Sequence, residues 1–255
     1  MRKFTLFLAA LFCCTMTLPA VEYYGITFGT LEVTSENKED IFGDGMAEYD
    51  PEFNTLFLES GFSYSLSKGF ISIDTEQEEF GIRLEGNAEI KAAVKSNRDI
   101  RITSDSEYTL SITSNISGSA LECPNLIVGS HLTLNLLSRN SQNDMYALDC
   151  AGKLEVWGGI LIAEVTTANL AVKVSEMVLD RCSLTKPKGG GINTAWGGIC
   201  FADGTPAKVV HITPWAQGID DVQGDKVQST KVLRDGVLYI ERNNTTYNAQ
   251  GAQIQ

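Results

Sequence analysis

Five four-residue stretches of this chain read as one strand written over and over: Ala93-Val94-Lys95-Ser96, Ala120-Leu121-Glu122-Cys123, Ala147-Leu148-Asp149-Cys150, Ala171-Val172-Lys173-Val174 and Gly198-Ile199-Cys200-Phe201. Their starts are separated by 27, 27, 24 and 27 residues. A period in the twenties with several short strands per period is the mark of a solenoid, in which each turn buries its apolar face against the turn before it. The expected fold is therefore all-β, a parallel β-helix with neighbouring coils about 4.8 Å apart.

Side chains along a strand point alternately to opposite faces, so the repeat also predicts which residues face the core. Val94, Leu121, Leu148, Val172 and Ile199 form one inward column, and Ser96, Cys123, Cys150, Val174 and Phe201 a second. The outward column between them reads Lys95, Glu122, Asp149, Lys173 and Cys200. The same alternation recurs in Ile82-Arg83-Leu84, Ile100-Arg101-Ile102 and Leu110-Ser111-Ile112, with no sustained helical periodicity anywhere. A second ladder is expected through Leu126 and Val128, Leu154 and Val156, and Met177 and Leu179. A third runs through Leu132 to Leu136, Ile160 to Val165 and Cys182 to Leu184, and Gly129, Gly152, Gly158 and Gly159 fall where the coil must turn.

The ends of such a stack need closing, because a terminal coil exposes both an apolar cross-section and an unpaired strand edge. Residues 21–69, rich in short strands and turns, are expected to form an N-terminal β cap, with the helix over 70–214. A polar stretch at 215–229 reads as a linker, and 230–255 as a C-terminal β hairpin segment around Val237-Leu238-Tyr239-Ile240. Ahead of all this, residues 1–20 place Arg2 and Lys3 before an apolar run from Phe4 to Cys14 and end in Pro19-Ala20. That is the layout of a secretory signal, and the run is too short to cross a bilayer. Export is the expectation, with no transmembrane segment.

Charge excludes some partners. The 255 residues carry 32 acidic and 20 basic side chains, a formal charge of -12. Nucleic acid is not an expected partner, since binding to phosphates rests on clustered Lys and Arg. Nor is a cofactor expected: there is no phosphate loop or dinucleotide fingerprint, and His131 and His211 lie far apart with no metal-ligand spacing around them. Asp40, Asp44 and Asp50 are explained by turn formation.

Several short motifs resemble the opening of exported β-helix repeat proteins of anaerobic gut bacteria. They are Tyr24-Gly25-Ile26, Val33-Thr34-Ser35, Asp40-Ile41-Phe42-Gly43-Asp44-Gly45, Tyr49-Asp50-Pro51 and Asn54-Thr55-Leu56. Gly189-Gly190-Gly191 and Asp203-Gly204 followed by Ala207-Lys208-Val209-Val210 are similar to that family's closing coil. The resemblance implies a right-handed helix at the cell exterior, in a group sometimes labelled carbohydrate-binding, and supplies no catalytic residues. The C-terminal segment is similar to the β tails of bacterial proteins that use an outer-membrane sorting system, though without their basic terminal residues.

Two sites compete for the function. Trp157 follows an inward valine and should point outward, and Trp196 opens a second Trp-Gly-Gly-Ile sequence; carbohydrate-binding surfaces usually offer exposed rings of this kind, so a non-catalytic glycan-binding module is the leading expectation, the other reading of the two rings being that they cover a coil corner or pack on a terminal cap. The alternative is an enzyme acting on acidic polysaccharide through Glu122 and Asp149, with Lys95 or Lys173 as proton acceptor. A plain ladder of Lys-Glu-Asp-Lys cross-strand pairs explains the same column, and a purely structural surface protein is a third reading. Cys123 and Cys150 fall on adjacent coils and are expected to be stacked buried thiols; a bridge between them is the other possibility.

Overall fold

The computed structural model describes residues 20–115, 118–139 and 145–215, together with strands at 229–234, 237–242, 245–248 and 253–254. The expected signal segment and most of the expected linker lie outside the described residues. Residues up to Trp215 make one compact unit and those from Ala216 a second. Among the described residues there is no helix, and hence none long and apolar enough to cross a membrane.

The first unit opens with β1 (Tyr23–Phe28) and β2 (Leu31–Thr34), then β3 (Ala47–Asp50), β4 (Thr55–Leu58) and the long β5 (Ser63–Ile73). The winding continues through β6 (Glu79–Leu84), β7 (Ala88–Ser96), β8 (Asp99–Ser104), β9 (Tyr108–Ser114), β10 (Leu121–Cys123), β11 (Leu126–Val128) and β12 (Leu132–Ser138). After it come β13 (Leu148–Cys150), β14 (Lys153–Trp157), β15 (Ile160–Val165), β16 (Val172–Lys173), β17 (Glu176–Asp180) and β18 (Cys182–Lys186). The unit closes with β19 (Gly191–Asn193), β20 (Gly198–Cys200) and β21 (Val209–Pro214). The second unit holds β22 (Ser229–Arg234), β23 (Val237–Arg242), β24 (Thr245–Asn248) and β25 (Gln253–Ile254), an antiparallel meander of four strands where the sequence suggested a single hairpin.

Parallel, in-register pairing stacks the first unit into a solenoid of about five turns with three faces. The first face is the repeated strand: Ile71, Val94, Leu121, Leu148 and Val172 lie opposite one another in turn. On the second face the file is Leu56, Ile82, Ile102, Val128, Val156 and Leu179. Tyr64, Ile90, Ile112, Leu136 and Ala163 make the file of the third. β5 and β7 are long because each turns the corner from third face to first without a break. The second-face pairing already includes β4, at Thr55–Leu58.

The inward columns of the three faces meet in one core, in which Ile82, Ile102, Leu110, Ile112, Leu134 and Val156 are among the fully buried side chains. Burying one such side chain contributes roughly 1.5–3 kcal/mol, and stacking makes the same contribution at every rung. The N-terminal end is closed by rings: Phe28 packs edge-on against Phe42 and Tyr64, with centroids 5.0 and 5.2 Å apart.

Both ends abandon parallel pairing. β1 runs antiparallel to β5 and β3 antiparallel to β4. At the other end β20 runs antiparallel to β16, with β19 hairpinned onto it. Two expectations are corrected here. Gly198-Ile199-Cys200-Phe201 is a returning strand and not a fifth parallel repeat: Ile199 is buried as expected, but Cys200 is buried at 1% exposure and Phe201 is 45% exposed, opposite to their assigned columns. On the third face, Cys182–Leu184 does not continue from β15, because β21 inserts antiparallel between β15 and β18. An antiparallel strand offers no in-register seat for another coil, so it ends the stack.

Candidate binding surface

The outward column of the first face is a set of closed ion pairs. Lys95 Nζ lies 2.9 Å from Glu122 Oε1, and Lys173 Nζ 3.0 Å from Asp149 Oδ1, so each carboxylate is held by its own lysine. Lys173 also sits 5.3 Å from the centre of the Tyr146 ring. Burial works to lower its pKa, but the hydrogen bond and charge of Asp149 outweigh burial and leave it raised. A proton acceptor needs the reverse, an amine neutral near working pH. No group of three or more His, Cys, Asp or Glu side chains suited to a metal ion occurs among the described residues.

Beneath this column, Cys123 and Cys150 lie opposite each other as buried free thiols. A hydrogen bond with Cys150, reinforced by burial, pushes the Cys123 thiol well above the usual range, which makes it a poor nucleophile.

The structure separates the two tryptophans. Trp157 ends β14 on the second face and is half-buried. Trp196 stands in the β19–β20 connection beyond the first face, 49% exposed. Their shared Trp-Gly-Gly-Ile sequence nevertheless folds alike. The first glycine has positive φ in both copies, 74° at Gly158 and 64° at Gly197. The second presses against the neighbouring strand, where a Cβ would stand 2.2 Å from the carbonyl oxygen of Gly129 or Val172. The motif is a tight turn onto the next strand, and each tryptophan marks its outer edge. Trp215 is 60% exposed, and its backbone N–H donates to the Arg181 carbonyl at 2.9 Å.

A surface that sequence reasoning did not assemble lies on the second face. Outward positions there include Thr55, Gly81 and Arg101 in one file and Phe57, Arg83 and Thr103 in the next. Gly81 has no side chain to fill its place, and with Phe53 at the rim these residues line a cavity of about 390 Å³. Arg101 makes two hydrogen bonds to the Glu79 carboxylate, at 2.7 and 2.9 Å, which hold its pKa above the usual value against the effect of burial. The same guanidinium lies 5.2 Å from the centre of the Trp157 ring. Trp157 in turn donates its Nε1–H to Glu155 at 3.1 Å, and Lys153 pairs with Glu155 at 3.0 Å. Arg83 is held by Glu85 at 2.9 Å and by Asp105. A line of aromatic rings and paired charges thus runs across successive coils.

Phe53 is 70% exposed and projects from the β3–β4 turn. Its neighbour Asn54 fixes that turn: buried, with φ of 48°, it accepts the Tyr49 hydroxyl at 2.7 Å and donates to Thr75 Oγ1 at 3.1 Å and to the Glu79 carbonyl at 2.6 Å. The rim ring and the Glu79 that grips Arg101 are therefore held through one asparagine. The available sequence signal was the arginine in each of Ile82-Arg83-Leu84 and Ile100-Arg101-Ile102, both outward by alternation.

Comparison of the chain with protein-family models, with curated proteins and with solved structures finds no match.

Proposed function

We propose that this chain is an exported, non-catalytic β-helix that binds an extracellular glycan on its second face. The observation that carries the reading is the Arg101 guanidinium set against half-buried Trp157, beside a cavity rimmed by exposed Phe53. Aromatic faces pack against the C–H groups of sugars. The Arg–Glu pairs next to them supply hydrogen-bond donors and acceptors for hydroxyls already oriented by their neighbours. Export rests on the layout of residues 1–20 and on the resemblance of the opening motifs to exported gut-bacterial proteins. The first face contributes shape only, because its lysines and carboxylates satisfy one another.

Screening the full chain on an oligosaccharide array tests this. A ligand is expected whose signal falls in Trp157→Ala, with Glu122→Ala leaving it unchanged. A blank array across neutral and acidic glycans sinks the proposal.

A further inference from the structure

We infer that the ligand is an uncharged polysaccharide lying parallel to the solenoid axis on the second face, with one end at Phe53 and Phe57 and the other at Trp157. This deepens the glycan-binding reading and rests on it.

Charge sets the ligand class. The cavity's two guanidinium groups, Arg83 and Arg101, already face three carboxylates, those of Glu79, Glu85 and Asp105. A uronate or sulfate brought here would have to displace a carboxylate from Arg101 or meet net negative charge, and either costs binding free energy. Hydroxyl groups displace nothing: they donate to the carboxylates and accept from the guanidinium N–H groups that remain. The whole-chain balance of 32 acids to 20 bases works in the same direction.

Relief sets the direction. Phe57, Arg83 and Thr103 occupy successive rungs of one outward file. Gly129 and then Trp157 continue it on the next two coils, each directly after the last in-register pair of its strand. Each end of this file carries a ring, Arg83 stands beside Phe57, and between them and Trp157 lie the small Thr103 and Gly129, which has no side chain. Four rungs at about 4.8 Å put the backbone positions of Phe57 and Trp157 about 19 Å apart, a span for several linked sugar rings and far more than one. A glycan crossing the face sideways would meet only one of the two aromatic ends.

The test is an array of neutral hexose and pentose oligosaccharides beside matched uronates, followed by calorimetric titration with the neutral oligosaccharide of strongest signal, as its disaccharide and its hexasaccharide. The hexasaccharide should bind at least about tenfold tighter than the disaccharide. Phe53→Ala and Trp157→Ala should each weaken it by about fivefold or more, as expected for loss of one aromatic contact. Phe53 is exposed and Trp157→Phe keeps a ring, so Phe53→Ala and Trp157→Phe guard against a folding artefact; Trp196→Ala should leave binding unchanged. Binding to uronates alone, equal affinity for both lengths, or loss only in Trp196→Ala would overturn this inference and leave glycan binding standing. No binding to any member overturns both.

Discussion

Asn54 joins the cap hairpin to the second coil and holds the rim of the cavity, so its replacement gives a large and resolvable effect. In Asn54→Ala the buried Tyr49 hydroxyl loses its 2.7 Å acceptor and the partly buried Glu79 carbonyl loses its 2.6 Å donor. Each orphaned group costs about 1–3 kcal/mol. Alanine would also have to hold φ at 48°, a conformation that costs it about 1–2 kcal/mol relative to glycine and that asparagine tolerates better through local hydrogen bonding. The expected loss in urea unfolding is about 4 kcal/mol for Asn54→Ala and about 1 kcal/mol less for Asn54→Gly, the difference being the relief of backbone strain net of glycine's greater unfolded-state entropy. Amide exchange reports the same event locally, because the Gly81 N–H donates to the Asn54 carbonyl at 2.9 Å. Its protection should fall more than that of Leu134, buried in the third-face ladder. A Tyr49→Phe/Asn54→Ala double variant should lose less than the sum of the singles, since both break one hydrogen bond. A loss below about 1 kcal/mol for Asn54→Ala, or a glycine variant no better than alanine, would refute the reasoning.

The turn motif gives a second contrast. Gly159→Ala, whose Cβ would stand 2.2 Å from a backbone oxygen, should cost about 3 kcal/mol, whereas Gly158→Asn, at a φ of 74° that asparagine tolerates, should cost under about 1 kcal/mol; thermal melts ranking them the other way would contradict the turn geometry. Burial, then the charges of Tyr24, Asp50 and Glu22, push the Tyr49 phenol from 10.0 up to about 12. The folded state thus favours the neutral phenol, so its contribution to stability is complete below pH 10 and is lost as pH rises through about 12; Tyr49→Phe should flatten stability between those values, and an unchanged profile would remove Tyr49 as the cause. Finally, β17 is the last strand of the second face, and pairing it antiparallel with a second copy about Val178 would set Glu176 opposite Asp180. Like charges there oppose edge-to-edge pairing, so Glu176→Thr/Asp180→Thr should raise self-association in light scattering, and a strictly unchanged molecular mass would show that the charges do not guard this edge.

The repeat was legible because a solenoid writes each rung of its core separately into the sequence. Val94, Leu121, Leu148 and Val172 are in register and buried because only one spacing puts all four inward. Strand direction was not legible. Alternation of period 2 reads the same forwards and backwards, so nothing in Gly198-Ile199-Cys200 says whether it adds a coil or turns back on one. The returning strand buries Gly198, Ile199 and Cys200 alike and leaves Phe201 exposed, so alternation itself is broken there. Nothing local records that choice. It follows from the hairpin: the chain passes through β19 first and returns as β20 alongside β16.

The second-face surface escaped sequence reasoning for a different reason. Trp157 could be placed outward from its own strand, but its contact with Arg101 joins positions on different coils, and Arg101 in turn is gripped by Glu79 one coil further on. A column found by aligning one strand with itself reveals the file that the repeat makes regular, which here is the first face. There the charges run plus, minus, minus, plus and cancel in pairs, Lys95 with Glu122 and Asp149 with Lys173. Regularity and self-satisfaction go together, because a ladder whose rungs pair with one another leaves no polar group in want of a ligand. The second face departs from regularity at Gly81, Gly129 and Trp157, and those departures are what create relief and an exposed ring edge. In a stacked fold of this kind the repeat therefore locates the scaffold, and the positions that break its outward pattern are where a ligand should be sought.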